Sequence, residues 1–152
     1  EVDDSPLYDV CCKLDIEDRY RPNAAFIIIR IGDKGANGLK NPTYTLCVLH
    51  GKGGGIYTGA SVNRNERFGA IIDNLDILIV GHSHKVVMTK PGKIYIDPRN
   101  EKVSFKAFNL VQATSWVKHG GYALQGQLLP GAHALQEIIL RGNRKSVKVA
   151  ME

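Results

Sequence analysis

The middle of the chain constrains the fold most, because two apolar segments of strand length flank one helical stripe. Residues 44–49 predict a β-strand, and the largely apolar segment 76–80 is typical of a strand covered on both faces. Ser61 suits the N-cap of a helix between them. The stripe of that helix has the spacing i, i+3, i+4, i+7 and comprises Phe68, Ile71, Ile72 and Leu75. This strand–helix–strand pattern predicts the α/β class, with parallel strands in the sheet.

Shorter segments on both sides add α+β character to this unit. The β-branched segment 24–31 predicts a strand that stops at the turn cluster beginning with Gly32, and a short helix is predicted before Pro22. After residue 85 the pattern changes to short strands, and the dipeptides Pro91–Gly92 and Gly142–Asn143 suit hairpins. These strands are predicted at residues 86–88, 93–96, 103–110, 134–140 and 146–149. We therefore expect few helices, and a mixed sheet followed by antiparallel strands.

Composition and charge place the chain among globular proteins, as one domain over residues 1–152. Apolar residues make up 43% and charged residues 23%, with a net charge of +5, which excludes a disordered chain and a coiled coil. The apolar runs are far shorter than the roughly 20 residues of a membrane helix, and we expect no signal peptide, since the opening residues lack a basic region followed by an apolar one. Three cysteines, Cys11, Cys12 and Cys47, give no disulfide framework and predict buried, unreactive thiols. We expect a cytoplasmic protein without a membrane partner.

Both central strands are followed by histidine. His50 and Gly51 follow the first strand, and the sequence Gly-His-Ser-His at 81–84 follows the second. In an extended segment residues two apart point to the same side, so His82 and His84 are predicted to present their rings to one place. His50 reaches that place if the two strands are neighbours. Imidazole is a standard ligand for zinc, manganese and iron, and we interpret the three histidines as metal ligands.

A surface or hydrogen-bonding role is the alternative for any single histidine. It is our interpretation of His119 and His133, which lie in glycine-rich or loop settings. Three histidines after two buried strands favour a metal site over that alternative, because the carboxyl ends of parallel strands meet at the edge where sites collect.

The histidine motifs resemble those of the calcineurin-like metallophosphoesterases, in particular the bacterial and phage-associated members. The resemblance rests on Gly-His-Ser-His at 81–84 after its strand and on Leu-His-Gly at 49–51. It extends over residues 24–96 and includes Gly59, Asn63 and Arg67. It implies the C-terminal half of an αββα sandwich that hydrolyses phosphate esters with two divalent ions of manganese, iron, zinc or nickel.

The resemblance also implies roles for individual residues. His50 and His82 would bind one metal ion and His84 the other, while the substrate is a phosphodiester such as a nucleic acid or a nucleotide. The backbone amides of the glycine loop, with Gly51, Lys52 and Gly53, would hold phosphate oxygens as a nest. A flexible surface turn is the equal alternative for this loop, and its spacing is not that of a P-loop.

The sequence departs from the family before residue 24. The motifs Asp-x-His, Gly-Asp and Gly-Asn-His-Asp/Glu, which supply the bridging aspartate, an asparagine ligand and the general acid, have no match. We therefore expect the chain to be the C-terminal part of a longer metallophosphoesterase domain, with its catalytic acid upstream.

The missing motifs leave two alternatives open. The chain could be a catalytically incomplete remnant that acts as an assembly module, in which case an exposed apolar face predicts a homo-oligomer. A mononuclear three-histidine hydrolase is the other, although no carboxylate is placed as its general base. Nucleic acid as a partner is undecided, since aromatic residues are only 7% and no basic stripe is present. Core positions are predicted for Trp116, Tyr122, Phe105 and Phe108.

Overall fold

The computed structural model describes residues 5–32, 40–52, 57–83, 85–113, 121, 125 and 134–152. Within these residues the chain forms helices α1 (Pro6–Lys13) and α2 (Thr58–Ala70), and a 3₁₀ turn at Glu17–Arg19. The strands are β1 (Ala24–Arg30), β2 (Thr43–Leu49), β3 (Ile77–Val80), β4 (Val87–Thr89), β5 (Gly92–Asp97), β6 (Lys102–Ala107), β7 (Asn109–Gln112), β8 (Gln136–Leu140) and β9 (Val147–Met151). The predicted mixed α and β character is confirmed.

Five strands form a mixed sheet in the order β1-β2-β3-β7-β4. The three central strands β2, β3 and β7 are parallel, while β1 and β4 pair antiparallel at the two edges. Helix α2 connects β2 to β3, so the predicted strand–helix–strand unit is present. Register places Leu49 opposite Val80, and Val80 opposite Gln112, so the three parallel strands end at the same edge.

Helix α2 covers one face of this sheet. Its side of the core contains Cys47, Leu78, Leu110 and Phe108, all fully or almost fully buried. Gly69 of the helix approaches so closely that a Cβ there would lie 2.4 Å from the Phe108 ring. The absence of a side chain at that position therefore lets the helix and the sheet pack tightly.

The antiparallel hairpin β8–β9 covers the other face. It packs four apolar side chains against a cluster that includes Tyr44 and Leu46 of β2; they are Ile138, Leu140, Val147 and Val149. The hydroxyl of buried Tyr44 donates to the carbonyl of Arg141 at 2.6 Å and accepts from the backbone N–H of Ser146 at 2.9 Å. These bonds fasten the turn of the hairpin to the sheet, which gives a three-layer arrangement of helix, sheet and hairpin.

The predicted strands at 24–31, 44–49 and 76–80 are confirmed to within a residue, but the later part of the chain pairs differently from the prediction. The predicted strand 103–110 is two strands, because β6 pairs with β5 whereas β7 joins the main sheet parallel to β3. Phe108 is accordingly buried as predicted, and Phe105 is exposed. Pro91–Gly92 does not close a hairpin, since β4 pairs with β7 instead of β5. The predicted hairpin at Gly142–Asn143 is confirmed.

The boundaries of the central helix also differ from the prediction. Its N-cap is Tyr57, so Ser61 lies within the first turns of the helix and is not the N-cap. The helix ends at Ala70, and Ile71 beyond it is exposed, although Ile72 and Leu75 still pack against the core. Backbone bonds from Ile71 to Phe68 and from Ile72 to Gly69 close a tighter turn there. The α-helix therefore ends at Ala70, whereas the predicted apolar stripe continues to Leu75.

The N-terminal helix α1 forms where a short helix was predicted, but none of its residues is buried. Among the residues that the structure describes, no helix is long and apolar enough to cross a membrane.

The three cysteines lie in different environments. Cys47 is buried, and burial raises the pKa of its thiol, whereas Cys12 is exposed. The prediction of buried thiols is thus confirmed for Cys47 and wrong for Cys12, while Cys11 is only partly buried.

Candidate functional site

The candidate site lies at the edge of the sheet where β2 and β3 end. His50 follows Leu49 of β2, and Gly81 and His82 follow Val80 of β3. Because Leu49 and Val80 stand opposite each other in neighbouring parallel strands, the two histidines leave the sheet side by side. The adjacency of His50 and His82 that the sequence left conditional is therefore present.

The two imidazole rings touch. Nε2 of His50 lies 2.5 Å from Nδ1 of His82, the ring centroids are 4.6 Å apart, and the ring planes meet at 88°. A hydrogen bond between the two rings needs one of these nitrogens to carry a hydrogen and the other to accept it. Both residues are exposed, so the pair lies at the surface of the protein.

Backbone conformation brings the two loops this close. Gly51 has a φ of +77°, and a Cβ there would lie 2.5 Å from Cγ1 of Val80 and 2.8 Å from the carbonyl oxygen of Gly81. At Gly81 a Cβ would lie 3.2 Å from the carbonyl oxygen of His50. Glycine at these two positions therefore permits the close approach of the loops that carry the histidines.

His82 itself has a φ of +52°, in the left-handed region that a non-glycine residue seldom adopts. The prediction that the segment 82–84 is extended is wrong at this residue, because the chain turns immediately after β3. Strained backbone of this kind concentrates at functional sites. The placement of the His82 ring is therefore a product of the turn and its glycine neighbours, and it does not come from strand alternation.

Only some of the other predicted site residues lie within the described ranges. Lys52 is exposed, and its backbone carbonyl accepts a hydrogen bond from the Arg64 guanidinium, which ties the start of the glycine loop to α2. Predictions for His84, Gly53, His119, His133, Trp116 and Tyr122 concern residues that lie outside the described ranges. In the part of the chain that is described, no group of three or more histidine, cysteine, aspartate or glutamate side chains converges.

The pair nevertheless fits as part of a metal centre. Neutral imidazole nitrogens are suitable donors for zinc, manganese, iron and nickel, and here two of them meet at one exposed point. Nitrogens bound to one ion at about 2.0–2.1 Å stand roughly 3 Å apart, so the exposed rings need only a small separation to accept it. Two imidazoles satisfy half of a four-ligand sphere, and the remaining ligands have to come from other residues or from water.

Sequence reasoning missed a buried polar cluster beneath α2. Gln112 ends β7 beside Val80 and is fully buried, with its Oε1 3.3 Å from the hydroxyl of Ser61. Ser61 donates to the carbonyl of Thr58 at 2.9 Å. Within the described structure, the side-chain amide nitrogens of Gln112 and Asn65 are buried without an acceptor. The signal was a glutamine at the end of an apolar strand that leads to the same edge as the histidines.

The opposite end of β3 carries a cluster of charged side chains. A cleft of about 270 Å³ there is lined by Asp76 and by lysines from the two hairpins. Lys145 pairs with Asp76 at 2.8 Å, and Lys93 donates to the carbonyl of Ile72 at 2.8 Å. Lys106 donates to the side chain of Asn74 at 3.3 Å. Each ammonium group has an acceptor within the protein, so these contacts fasten the hairpins to the rest of the chain.

Comparison of the chain with protein-family models, curated proteins and solved structures found no match. The resemblance to calcineurin-like metallophosphoesterases therefore stays a prediction from the histidine motifs of the sequence. What the structure contributes is the meeting of His50 and His82 at one edge.

Proposed function

We propose that the chain belongs to a metal-dependent phosphoesterase and that His50 and His82 are ligands of its metal centre. The observation that carries this proposal is the convergence of the two ring nitrogens, 2.5 Å apart, at the ends of parallel neighbouring strands. Glycine at 51 and 81 and the left-handed backbone at His82 support it, because they hold the loops in the arrangement that the convergence requires.

In this proposal each predicted residue has one role. His50 and His82 hold one divalent ion, and His84 contributes to a second. Gly51, Lys52 and Gly53 bind phosphate oxygens of the substrate. When bound, the ions supply Lewis acidity and a water of lowered pKa, which is the chemistry that phosphate-ester hydrolysis needs near neutral pH.

The proposed substrate is a phosphodiester such as a nucleotide or a nucleic acid. The net charge of +5 favours an anionic substrate. A cytoplasmic setting is part of the proposal, because Cys11, Cys12 and Cys47 are all free thiols, as expected in a reducing compartment.

The proposal leaves the general acid and the bridging carboxylate unassigned. Asp76 precedes β3, whereas His82 follows it, so the length of the strand puts roughly 16 Å between them. Asp76 also accepts from the backbone N–H of Thr45 and pairs with Lys145, which occupies its oxygens structurally. Metal binding and turnover are therefore separate questions for this chain and need separate measurements.

Metal binding is the first test. Titration of the chain with manganese or zinc, followed by calorimetry and by the NMR signals of the histidine rings, should show binding at the proposed centre. We expect His50→Ala and His82→Ala each to weaken binding by about 100-fold or more, since each removes a direct ligand, against about 10–100-fold for an outer-shell partner. His133→Ala is the matched control, and it should leave the affinity unchanged. Equal binding by all three variants would remove His50 and His82 from the metal centre.

Turnover is the second test. Hydrolysis of a generic phosphodiester such as bis(p-nitrophenyl) phosphate with manganese should be abolished by chelator and by His82→Ala, and it should persist in His133→Ala. Metal binding without such hydrolysis would restrict the proposal to a metal site and contradict the phosphoesterase activity of this chain. Hydrolysis that survives both chelator and His82→Ala would overturn the assignment of the site.

A further inference from the structure

The hairpin β5–β6 exposes an apolar face. Its register pairs Ile94 with Phe105 and Ile96 with Val103, so these four side chains form two neighbouring rows on one side. Their exposed fractions are 66%, 82%, 67% and 64% in that order. The face is completed by Gly92 opposite Ala107, so it contains no charged or hydrogen-bonding side chain.

Hairpin β5–β6 turns its apolar side to solvent, which is the reverse of the usual orientation. A sheet with one solvated face normally turns its apolar side to the core and its polar side to water. Here the polar side faces the rest of the chain, because Lys93 donates to the carbonyl of Ile72 and Lys106 donates to Asn74. The Lys106 ammonium also lies 3.5 Å from the centroid of the Tyr95 ring. The two hydrogen bonds to Ile72 and Asn74 leave the apolar side facing outward.

The size of the face matches a weak, reversible interface. Four such side chains exposed to this degree present on the order of 500 Å² of apolar surface, the upper range for a monomeric protein. Two copies packed face to face would bury roughly 1,000 Å² in total, the lower limit for a specific association. A face of this size predicts a dimer that dissociates on dilution.

We propose that a second copy of this chain covers the β5–β6 face, forming a two-fold symmetric dimer. In such a dimer the same patch meets itself, so a patch with an excess of positive charge would repel its copy, and in a chain whose net charge is +5 the interface has to avoid the lysines. This patch meets that requirement, since Lys93, Lys102 and Lys106 all lie on the opposite side of the hairpin. Homodimer interfaces are also more apolar than those between different proteins, whose recognition uses polar groups that this face lacks.

A second exposed apolar patch, on strand β1, allows the location of the dimer interface to be tested. Phe26 and Ile28 of the edge strand β1 are also exposed, at 67% and 65%. That patch has two large apolar side chains instead of four, so we assign the interface to β5–β6. Phe26 thereby becomes a control of the same residue type, in a strand, and with similar exposure.

The test is the mass of the full chain in sedimentation equilibrium over a wide range of concentration. We expect wild type to approach twice the monomer mass at high concentration, and Phe105→Ser to weaken dimerisation by about tenfold or more, as for the central residue of an interface. Phe26→Ser should dimerise like wild type. Ile96→Ser serves as a second interface variant, and thermal unfolding of dilute samples verifies that each variant is folded.

A monomeric wild type at every concentration would overturn the proposal, as would a dimer that Phe105→Ser and Ile96→Ser leave intact. Loss of the dimer in Phe26→Ser alone would move the interface to β1 and contradict the assignment. The inference does not depend on the metal centre, so we expect His82→Ala to dimerise normally even if that variant, or the wild type, binds no metal.

Discussion

The two hairpins of this molecule have similar sequence patterns and opposite orientations. Hairpin β8–β9 packs its apolar row onto the sheet, against a cluster that contains Tyr44 and Ile77. Hairpin β5–β6 turns its apolar row to solvent and binds the rest of the chain through its lysines. Alternation along a strand therefore establishes that two unlike faces exist. It does not establish which face points inward, because that depends on what lies beside the strand in the folded chain.

The largest expected contrast comes from shortening one isoleucine in each hairpin. Ile138→Ala removes side-chain volume from the packed cluster, and we expect it to lower the free energy of unfolding by about 2–3 kcal/mol. Ile94→Ala removes atoms that are already exposed, so its effect should stay within about 0.5 kcal/mol. Urea unfolding of dilute, monomeric samples measures both. Equal losses would show that the two hairpins are packed alike and would break the comparison.

A smaller contrast involves the tyrosine hydroxyls. Tyr44→Phe removes the group that accepts from Ser146 and donates to Arg141, and it leaves the turn of β8–β9 without these partners. We expect a loss of about 1–2 kcal/mol in the free energy of unfolding. The control is Tyr95→Phe, which keeps the ring beneath Lys106 on β5–β6 and should change stability by less than about 0.5 kcal/mol. A Tyr44→Phe variant as stable as wild type would mean that the hydroxyl does not fasten the hairpin.

The smallest expected effect is the acid titration of Asp97, at the tip of hairpin β5–β6. Hydrogen bonds from the Asn100 side chain and from the Asn100 and Arg99 backbone hold the pKa of Asp97 below its ordinary value. A carboxyl whose pKa is lowered by folding stabilises the folded state above its unfolded pKa, and this contribution disappears as the pH falls through the lowered value. We therefore expect the amide NMR signals of residues 99 and 100 to shift in acid below the usual aspartate pKa.

Amide NMR signals from the turn of β8–β9 provide the internal reference, because they should not shift with the titration of Asp97. Asp97→Asn keeps one acceptor oxygen but cannot titrate, so it should abolish the acid-dependent shift and retain most of the turn. An unchanged titration in this variant would assign the acid dependence to a group other than Asp97.

The sequence predicted most strands because strand signals are local. The apolar segments 44–49 and 76–80 lie in the centre of the sheet, and the helix between them makes the parallel connection. The prediction failed where pairing is decided at a distance. Nothing within residues 103–110 indicates that Phe105 belongs to a hairpin while Phe108, between β6 and β7, packs into the core, since only the partners of these two strands separate them.

The candidate site was predictable in part for the same reason. Histidine after each of two strands is a local feature, and the parallel register that unites His50 with His82 follows from the connection through α2. The left-handed turn at His82 was not predictable, because a residue other than glycine seldom adopts a positive φ. The buried Gln112 was missed because it joins this edge through β7, whose parallel pairing with β3 is itself non-local.

By itself, the sequence determined most of the strands, the α and β class, and the candidate histidines at the ends of two strands. Periodicity, turn residues and glycine act over a few residues, and they can therefore be recognised without the fold. The tertiary structure alone decided which hairpin face is buried, where Phe105 points, and how the rings of His50 and His82 touch. Those outcomes depend on side chains far apart in the chain, and packing chooses among arrangements that local preferences permit equally.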